Sequence, residues 1–268
     1  MALICIASPK GGVGKTTVAS SLAWGIRREG FNVVAIDFDP QNAMRLHLGL
    51  PLESTGGYVG HLDAQRDWLS LLVDTPAGVG LLPYGAVTEE ERLALNAALR
   101  QPGFLAERLA PMLTMPRTVV IVDLPPGMSS ALRAVASLAD VRVTTLLADA
   151  ASLALLPEVD KGSFYPPSSK PGSRTCYVLN QVDPRLRLNR EITEIVQLRL
   201  GDELLGSVHR DEAVAEANAT QRSIFQHAPH SLAAEDFGAL VQEVLMMLCD
   251  MPLLDMPGST ASPARHHH

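Results

Sequence analysis

One ten-residue segment constrains this chain more than any other: Ser8-Pro9-Lys10-Gly11-Gly12-Val13-Gly14-Lys15-Thr16-Thr17, which follows an apolar run and precedes a helix-forming stretch. Glycines at 11, 12 and 14 let successive backbone N–H groups curl around an anion without Cβ clashes, and a helix starting directly behind them adds the positive end of its dipole. Such a loop cradles phosphates. Lys15 is placed to reach the β and γ phosphates of a nucleotide, and the Thr16 hydroxyl to ligate Mg²⁺. Gly11, Gly12, Val13, Gly14, Lys15, Thr16 and Thr17 are therefore the candidate phosphate-binding set. A strand, loop and helix in that order call for an α/β fold with the loop at the carboxyl edge of a parallel sheet.

The rest of the chain keeps the matching rhythm. Short Val-, Ile- and Leu-rich runs at 3–8, 33–37, 80–83, 118–124, 141–148, 174–180 and 204–208 alternate with helix-like stretches, as in strands buried on both faces. Seven such runs predict a doubly wound, mostly parallel sheet flanked by helices on both faces, in a single domain over 1–250. Only 4% of residues are aromatic against 47% hydrophobic, which points to an aliphatic core. A helix is expected over 16–29, closed by Gly30, and a cover helix over 234–248, where Phe237, Leu240, Val241, Val244, Leu245 and Leu248 recur at helical spacing. The Pro-, Ser- and Gly-rich stretch 162–173 predicts a surface loop, and 251–268 a flexible tail ending in three histidines of purification-tag type.

Charge and cysteines narrow the function classes. With 22 basic and 29 acidic residues the net charge is −7, so the average field repels nucleic acid, and the one dense basic segment is Arg185, Arg187 and Arg190. Strong nucleic-acid binding is not expected. Cys5, Cys176 and Cys249 lie far apart without metal-ligand spacing, which suits buried, reduced thiols in a cytoplasmic protein. The apolar start reads as a first strand and not an export signal, and no apolar run approaches the ~20 residues of a transmembrane helix.

Acids and amides collect at the ends of the expected strands. The second run ends Asp37-Phe38-Asp39-Pro40, and the run Thr118-Val119-Val120-Ile121-Val122 delivers Asp123 to the sheet edge, where it should bind Mg²⁺. Asn180 ends another run, and Gly206-Ser207-Val208-His209-Arg210-Asp211 closes the last.

The general phosphate-loop pattern has glycine where this chain has Pro9, and Lys10 is an added lysine before paired glycines. In both respects the segment resembles the deviant Walker A motif of the MinD/ParA family of ATPases. The resemblance implies ATP and Mg²⁺ as ligands, slow switch-type hydrolysis of ATP, and a homodimer formed with ATP. It also implies that Lys10 reaches the partner subunit's nucleotide, that Asp39 orients the attacking water, and that Asp37 lies near the magnesium. Lys10, Lys15 and Asp39 are then the candidate catalytic residues, and Thr16, Asp37 and Asp123 the candidate metal residues. Asn180 occupies the place of the family's adenine-reading asparagine. His209 and Asp211 fall in a loop like the one that walls the base, although His209 stands where many members have proline.

Other segments resemble the BcsQ group of that family: Leu81-Leu82-Pro83-Tyr84-Gly85, Thr88-Glu89-Glu90-Glu91, His209-Arg210-Asp211-Glu212-Ala213 and Ser231-Leu232-Ala233-Ala234-Glu235. This implies an assembly, localisation or regulatory factor for the inner-membrane cellulose synthase complex, working with small accessory subunits. A ParA-like DNA- or cargo-positioning ATPase and a non-hydrolysing nucleotide-binding scaffold are the alternatives. Gly127-Met128-Ser129-Ser130 lacks the cysteines of the family's iron–sulfur branch.

Overall fold

The computed structural model describes residues 1–62, 67–161, 163–251 and 253–254. Its strands are β1 (Ala2–Ala7), β2 (Asn32–Asp37), β3 (Val73–Asp74), β4 (Gly80–Leu82), β5 (Thr118–Asp123), β6 (Val141–Leu147), β7 (Arg174–Val182) and β8 (Leu204–His209). They form one sheet in the order β3-β4-β2-β5-β1-β6-β7-β8, parallel throughout except where β3 meets β4. All seven expected runs are strands. The eighth, β3, is two residues long, too short to leave a periodic signal.

The helices are α1 (Lys15–Arg28), α2 (Met44–His47), α3 (Glu89–Ala98), α4 (Phe104–Leu113), α5 (Ser130–Leu138), α6 (Ala150–Asp160), α7 (Arg187–Leu200), α8 (Glu212–Ala219), α9 (Ile224–His227) and α10 (Leu232–Asp250). Two cores result, one on each face of the sheet. Along β1, Leu3, Cys5 and Ala7 face the core shared with α3 to α7, while Ala2, Ile4 and Ile6 face the one shared with α1 and α10. Because both faces are covered, the central strands are apolar at most positions, β1 at all six, and each large aliphatic side chain buried there contributes roughly 1.5–3 kcal/mol.

The expected cover helix is α10, which buries Phe237, Leu240, Val241, Val244, Leu245 and Leu248. It packs closely on α1 at Gly25, where an added Cβ would come within 2.4 Å of Val241. The expectation for 162–173 needs correction. Its described part has no regular structure, but Phe164 and Tyr165 are buried and the Tyr165 hydroxyl pairs with Thr144 at 2.8 Å, so two aromatics pin it to the core. Residues 255–268, most of the expected tail, lie outside the described residues.

Chain direction places the site. The chain leaves β1 for α1 on one face and leaves β5 for α5 on the other, so a crevice opens between the carboxyl ends of these adjacent strands. The segment 8–17 lies at that opening.

Candidate nucleotide-binding site

The loop after β1 is closed by its own polar groups: the Ser8 hydroxyl donates to Lys10 O at 2.7 Å, and the Lys10 N–H donates to Ser8 Oγ at 3.3 Å. Gly127, in the loop after β5, donates its N–H to Ser8 O at 2.8 Å and ties the two loops together. Gly14 caps α1 with φ 83°, no side chain caps the helix, and its first turn carries no acid. The first-turn N–H groups are thus left to an anion. Gly14 is also required by packing, because a Cβ there would lie 2.3 Å from Asn180 Nδ2.

Two acids stand side by side at the sheet edge, Asp37 on β2 and Asp123 on β5, in register and fully buried. Burial and then the charge of Asp123 push the Asp37 carboxyl well above the usual range. Burial raises Asp123 to about 7, against the lowering effects of the Thr16 hydrogen bond and the Lys15 charge. The two acids are held differently. Asp37 accepts from the N–H groups of Asp39 (2.9 Å) and Met44 (3.1 Å), so it braces the loop that leads to α2. Asp123 accepts from Thr16 Oγ1 at 2.6 Å through Oδ2, while its Oδ1 is buried without a partner. A buried acceptor left in that state is costly, and a cation beside Thr16 would satisfy it. Among the described residues no cluster of three or more His, Cys, Asp or Glu could hold a metal alone. The donor set therefore suits Mg²⁺, which keeps waters and takes phosphate oxygens as further ligands.

Asp39 accepts from the Gln41 N–H at 2.9 Å and is nearly buried in the loop after β2. Lys15 is buried at the start of α1. Lys10 instead turns toward β6, its Nζ 2.5 Å from Asp149 Oδ2. Burial acts to raise Asp149, but the Lys10 and Ser152 hydrogen bonds outweigh it and hold the carboxyl below its usual range. Asp149 was not singled out in the sequence. The signal for it was there, an acid directly beyond an apolar run, as at Asp37 and Asp123.

Beyond Gly14 and Thr17 a cavity of about 280 Å³ opens, lined also by Asn180, Gln181, Val208, His209, Asp211 and Phe237. Asn180 is buried and donates Nδ2 to Val13 O at 2.8 Å, so it grips the phosphate loop from behind as well as facing the cavity. The Asp211 carboxylate caps α8, accepting from the N–H groups of Ala213 (3.0 Å) and Ala233 (3.3 Å). His209 is held by Asp236 of α10, which the apolar spacing of the cover helix does not single out.

Residues 1–245 match the sequence model of the family described as cellulose biosynthesis protein BcsQ. The chain belongs to the BcsQ family. It is 28% identical over 250 residues to the BcsQ protein of Salmonella typhimurium, covering 92% of this chain and 95% of that one. The wider ParA relationship is equally plain: the chromosome-partitioning ATPase Soj of Thermus thermophilus is 33% identical over 258 residues, covering 90% of this chain and 94% of Soj. The septum site-determining protein MinD of Pyrococcus horikoshii, solved with Mg-ADP, shares the fold with a TM-score of 0.73 at 22% identity, over 91% of this chain and 95% of MinD.

The BcsQ-like segments sort by what they do. Thr88 and Glu91 form a reciprocal cap on α3, and Ser231 caps α10. Only the segment from His209 to Ala213 reaches the cavity, through His209, Arg210, Asp211 and Glu212.

Proposed function

We propose that this member of the BcsQ family is an ATP-hydrolysing switch that dimerises around ATP and serves the bacterial cellulose synthase secretion complex as an assembly, localisation or regulatory factor. The observation that carries the nucleotide reading is the orphaned Asp123 Oδ1 beside Thr16, at the foot of an uncapped glycine-rich helix start. Thr16 and Asp123 would hold Mg²⁺, which supplies positive charge to the phosphate oxygens. Lys15 binds the β and γ phosphates. Asp39 orients a water whose oxygen attacks the γ phosphorus as the bond to the bridging oxygen breaks, giving ADP and phosphate. Positioning and charge dominate such a transfer, so a carboxylate of ordinary basicity suffices.

Lys10 supports the switch. Its bond to Asp149 joins partly exposed groups and is worth at most about 1 kcal/mol, so a second subunit's phosphates can draw it away. A lysine given in trans couples ATP binding to association. Asp39→Ala should then collect as an ATP-bound dimer with turnover lost, measured by phosphate release and sizing in Mg-ATP. Unchanged turnover in that variant contradicts the role of Asp39, and absent turnover in the native protein leaves the scaffold reading in its place.

The similarity to Soj favours a DNA-positioning alternative. Against it, Arg185, Arg187 and Arg190 form one short basic segment on a chain of net charge −7, whose average field repels nucleic acid. A gel shift at low and moderate salt separates the readings. No helix among the described residues is long and apolar enough to cross a membrane, so recruitment to the inner membrane would come through partner subunits.

A further inference from the structure

The cavity beyond Gly14 is lined by one histidine that the phosphate chemistry leaves unused and that an acid behind it holds in place. His209 ends β8, and Asp236 lies near the start of α10. Asp236 Oδ2 is 2.8 Å from the His209 backbone N and 2.8 Å from His209 Nδ1. The first contact fixes the residue and the second fixes the ring. A carboxylate oxygen can only accept, so the proton of the neutral ring sits on Nδ1 and Nε2 is left with a lone pair.

Among the other polar side chains lining the cavity, Asn180 donates Nδ2 to Val13, Asn218 is hydrogen-bonded to His47, and both Asp211 oxygens accept from backbone N–H groups, while Thr17 lies at the phosphate-loop end. Gln181, Arg210 and Glu212 also line it, but as exposed residues. The His209 ring keeps 37% of its side-chain surface exposed against 19% for Asp236, so the histidine is the member of the pair that meets a ligand.

We infer that His209 Nε2 is a base-selecting acceptor, favouring a purine with a 6-amino donor over one with a 6-oxo acceptor. Asp236 is the positioning residue that fixes the tautomer. The inference rests on the nucleotide-site reading above and adds the group that tells one base from another. A site built around one hydrogen-bond polarity rejects the opposite polarity, because the buried groups on both sides are then left unpaired.

Calorimetric titration with Mg-ATP and with Mg-inosine triphosphate, which carries a 6-oxo group, tests it in the full chain. The native protein favours ATP by roughly tenfold or more. His209→Phe keeps a ring but removes the acceptor, and weakens ATP roughly three- to tenfold while leaving inosine triphosphate unchanged. Asp236→Leu removes the one oxygen that holds both the His209 N–H and Nδ1, so it shrinks the preference for ATP over inosine triphosphate and serves if His209→Phe does not fold. A purely structural role would weaken both nucleotides equally. Displacement by tripolyphosphate, which has no base, keeps the two levels apart. If tripolyphosphate binds and the nucleotide ratio is the same in all three proteins, the selecting role is wrong and the phosphate site stands. If the native protein binds neither nucleotide nor tripolyphosphate, the nucleotide reading falls and this inference falls with it.

Discussion

The carboxyl ends of β1, β2 and β5 and those of β7 and β8 face one crevice, yet they hold their groups by different means. At the first, short stretches of chain do nearly everything: glycines shape a loop, a helix start offers N–H groups, and Asp123 and Thr16 meet across two loops joined by the bond from Gly127 to Ser8. At the second, single side chains converge: Asn180 reaches Val13, and Asp236 of α10 holds His209. The phosphate end is built mainly from loop backbone, and the other end mainly from side-chain packing.

The largest effect should fall on the phosphate end. Lys15→Ala removes the buried cation proposed to bind the β and γ phosphates and should cost on the order of 3–5 kcal/mol of Mg-ATP affinity, a hundredfold or more, with inosine triphosphate weakened equally. Calorimetry would show it, and a loss confined to one base would break the division between the two ends.

Gly14 is the contact between the two ends and sharpens the comparison. Gly14→Ala should lower unfolding stability by about 2–4 kcal/mol, combining the cost of φ 83° with a Cβ placed 2.3 Å from Asn180. In an Asn180→Ala background the steric part should vanish and only about 1–2 kcal/mol of backbone strain remain. Denaturant titration of the four proteins measures the difference, and full additivity would mean that Asn180 does not grip the loop.

Asp123→Asn should separate stability from function. With its folded value raised to about 7 from 3.8, the ionised carboxyl weakens the ligand-free fold progressively as pH rises from about 4 to about 7. The neutral amide should therefore stabilise the ligand-free protein at pH 8 by on the order of 2 kcal/mol, and the gain should shrink as pH falls toward 4. The same variant should lose most of the extra stability conferred by Mg-ATP. Thermal melts across pH, with and without Mg-ATP, test both halves.

A smaller effect belongs to His47, on α2, which follows the Asp39 loop and is hydrogen-bonded by Asn218 at the edge of the base cavity. Burial lowers its pKa from 6.5 to about 4, with the Asn218 bond opposing. The folded protein therefore keeps it neutral while the unfolded chain takes up a proton, so stability is lost as pH falls from about 6.5 to about 4. His47→Gln should flatten that window by roughly 1–2 kcal/mol in pH-dependent unfolding.

What could be read from the sequence follows the same division. Lys15, Thr16 and Asp123 could be placed together at one sheet edge from the sequence, because a glycine-rich loop and an acid each follow strands that announce themselves, whereas Lys10, expected to reach a partner subunit, is held by Asp149 of its own chain. Asn180 and His209 were legible as positions, but their work was not: the bond to Val13 spans 167 residues of sequence, and the bond to Asp236 joins a strand end to a helix. Asp149 and Asp236 were missed for that reason, since an isolated acid looks the same whether it caps a helix, restrains a lysine or orients a ring. Phe164 and Tyr165 were hidden by the prolines, serines and glycines around them, which describe the backbone of a segment and not where its two aromatics go. Cys249 is half-buried where a buried thiol was expected, beside the fully buried Leu248 of α10.

The central claim is that ATP drives dimerisation through Lys10. The direct measurement is solution mass, by sedimentation equilibrium, of the native protein and of Lys10→Ala, each with and without Mg-ATP at concentrations that saturate binding. The native protein should double its mass with Mg-ATP, and Lys10→Ala should bind ATP almost as well yet stay monomeric. A Lys10→Ala protein that dimerises normally with Mg-ATP would contradict it and leave Lys10 as a contact of its own subunit alone.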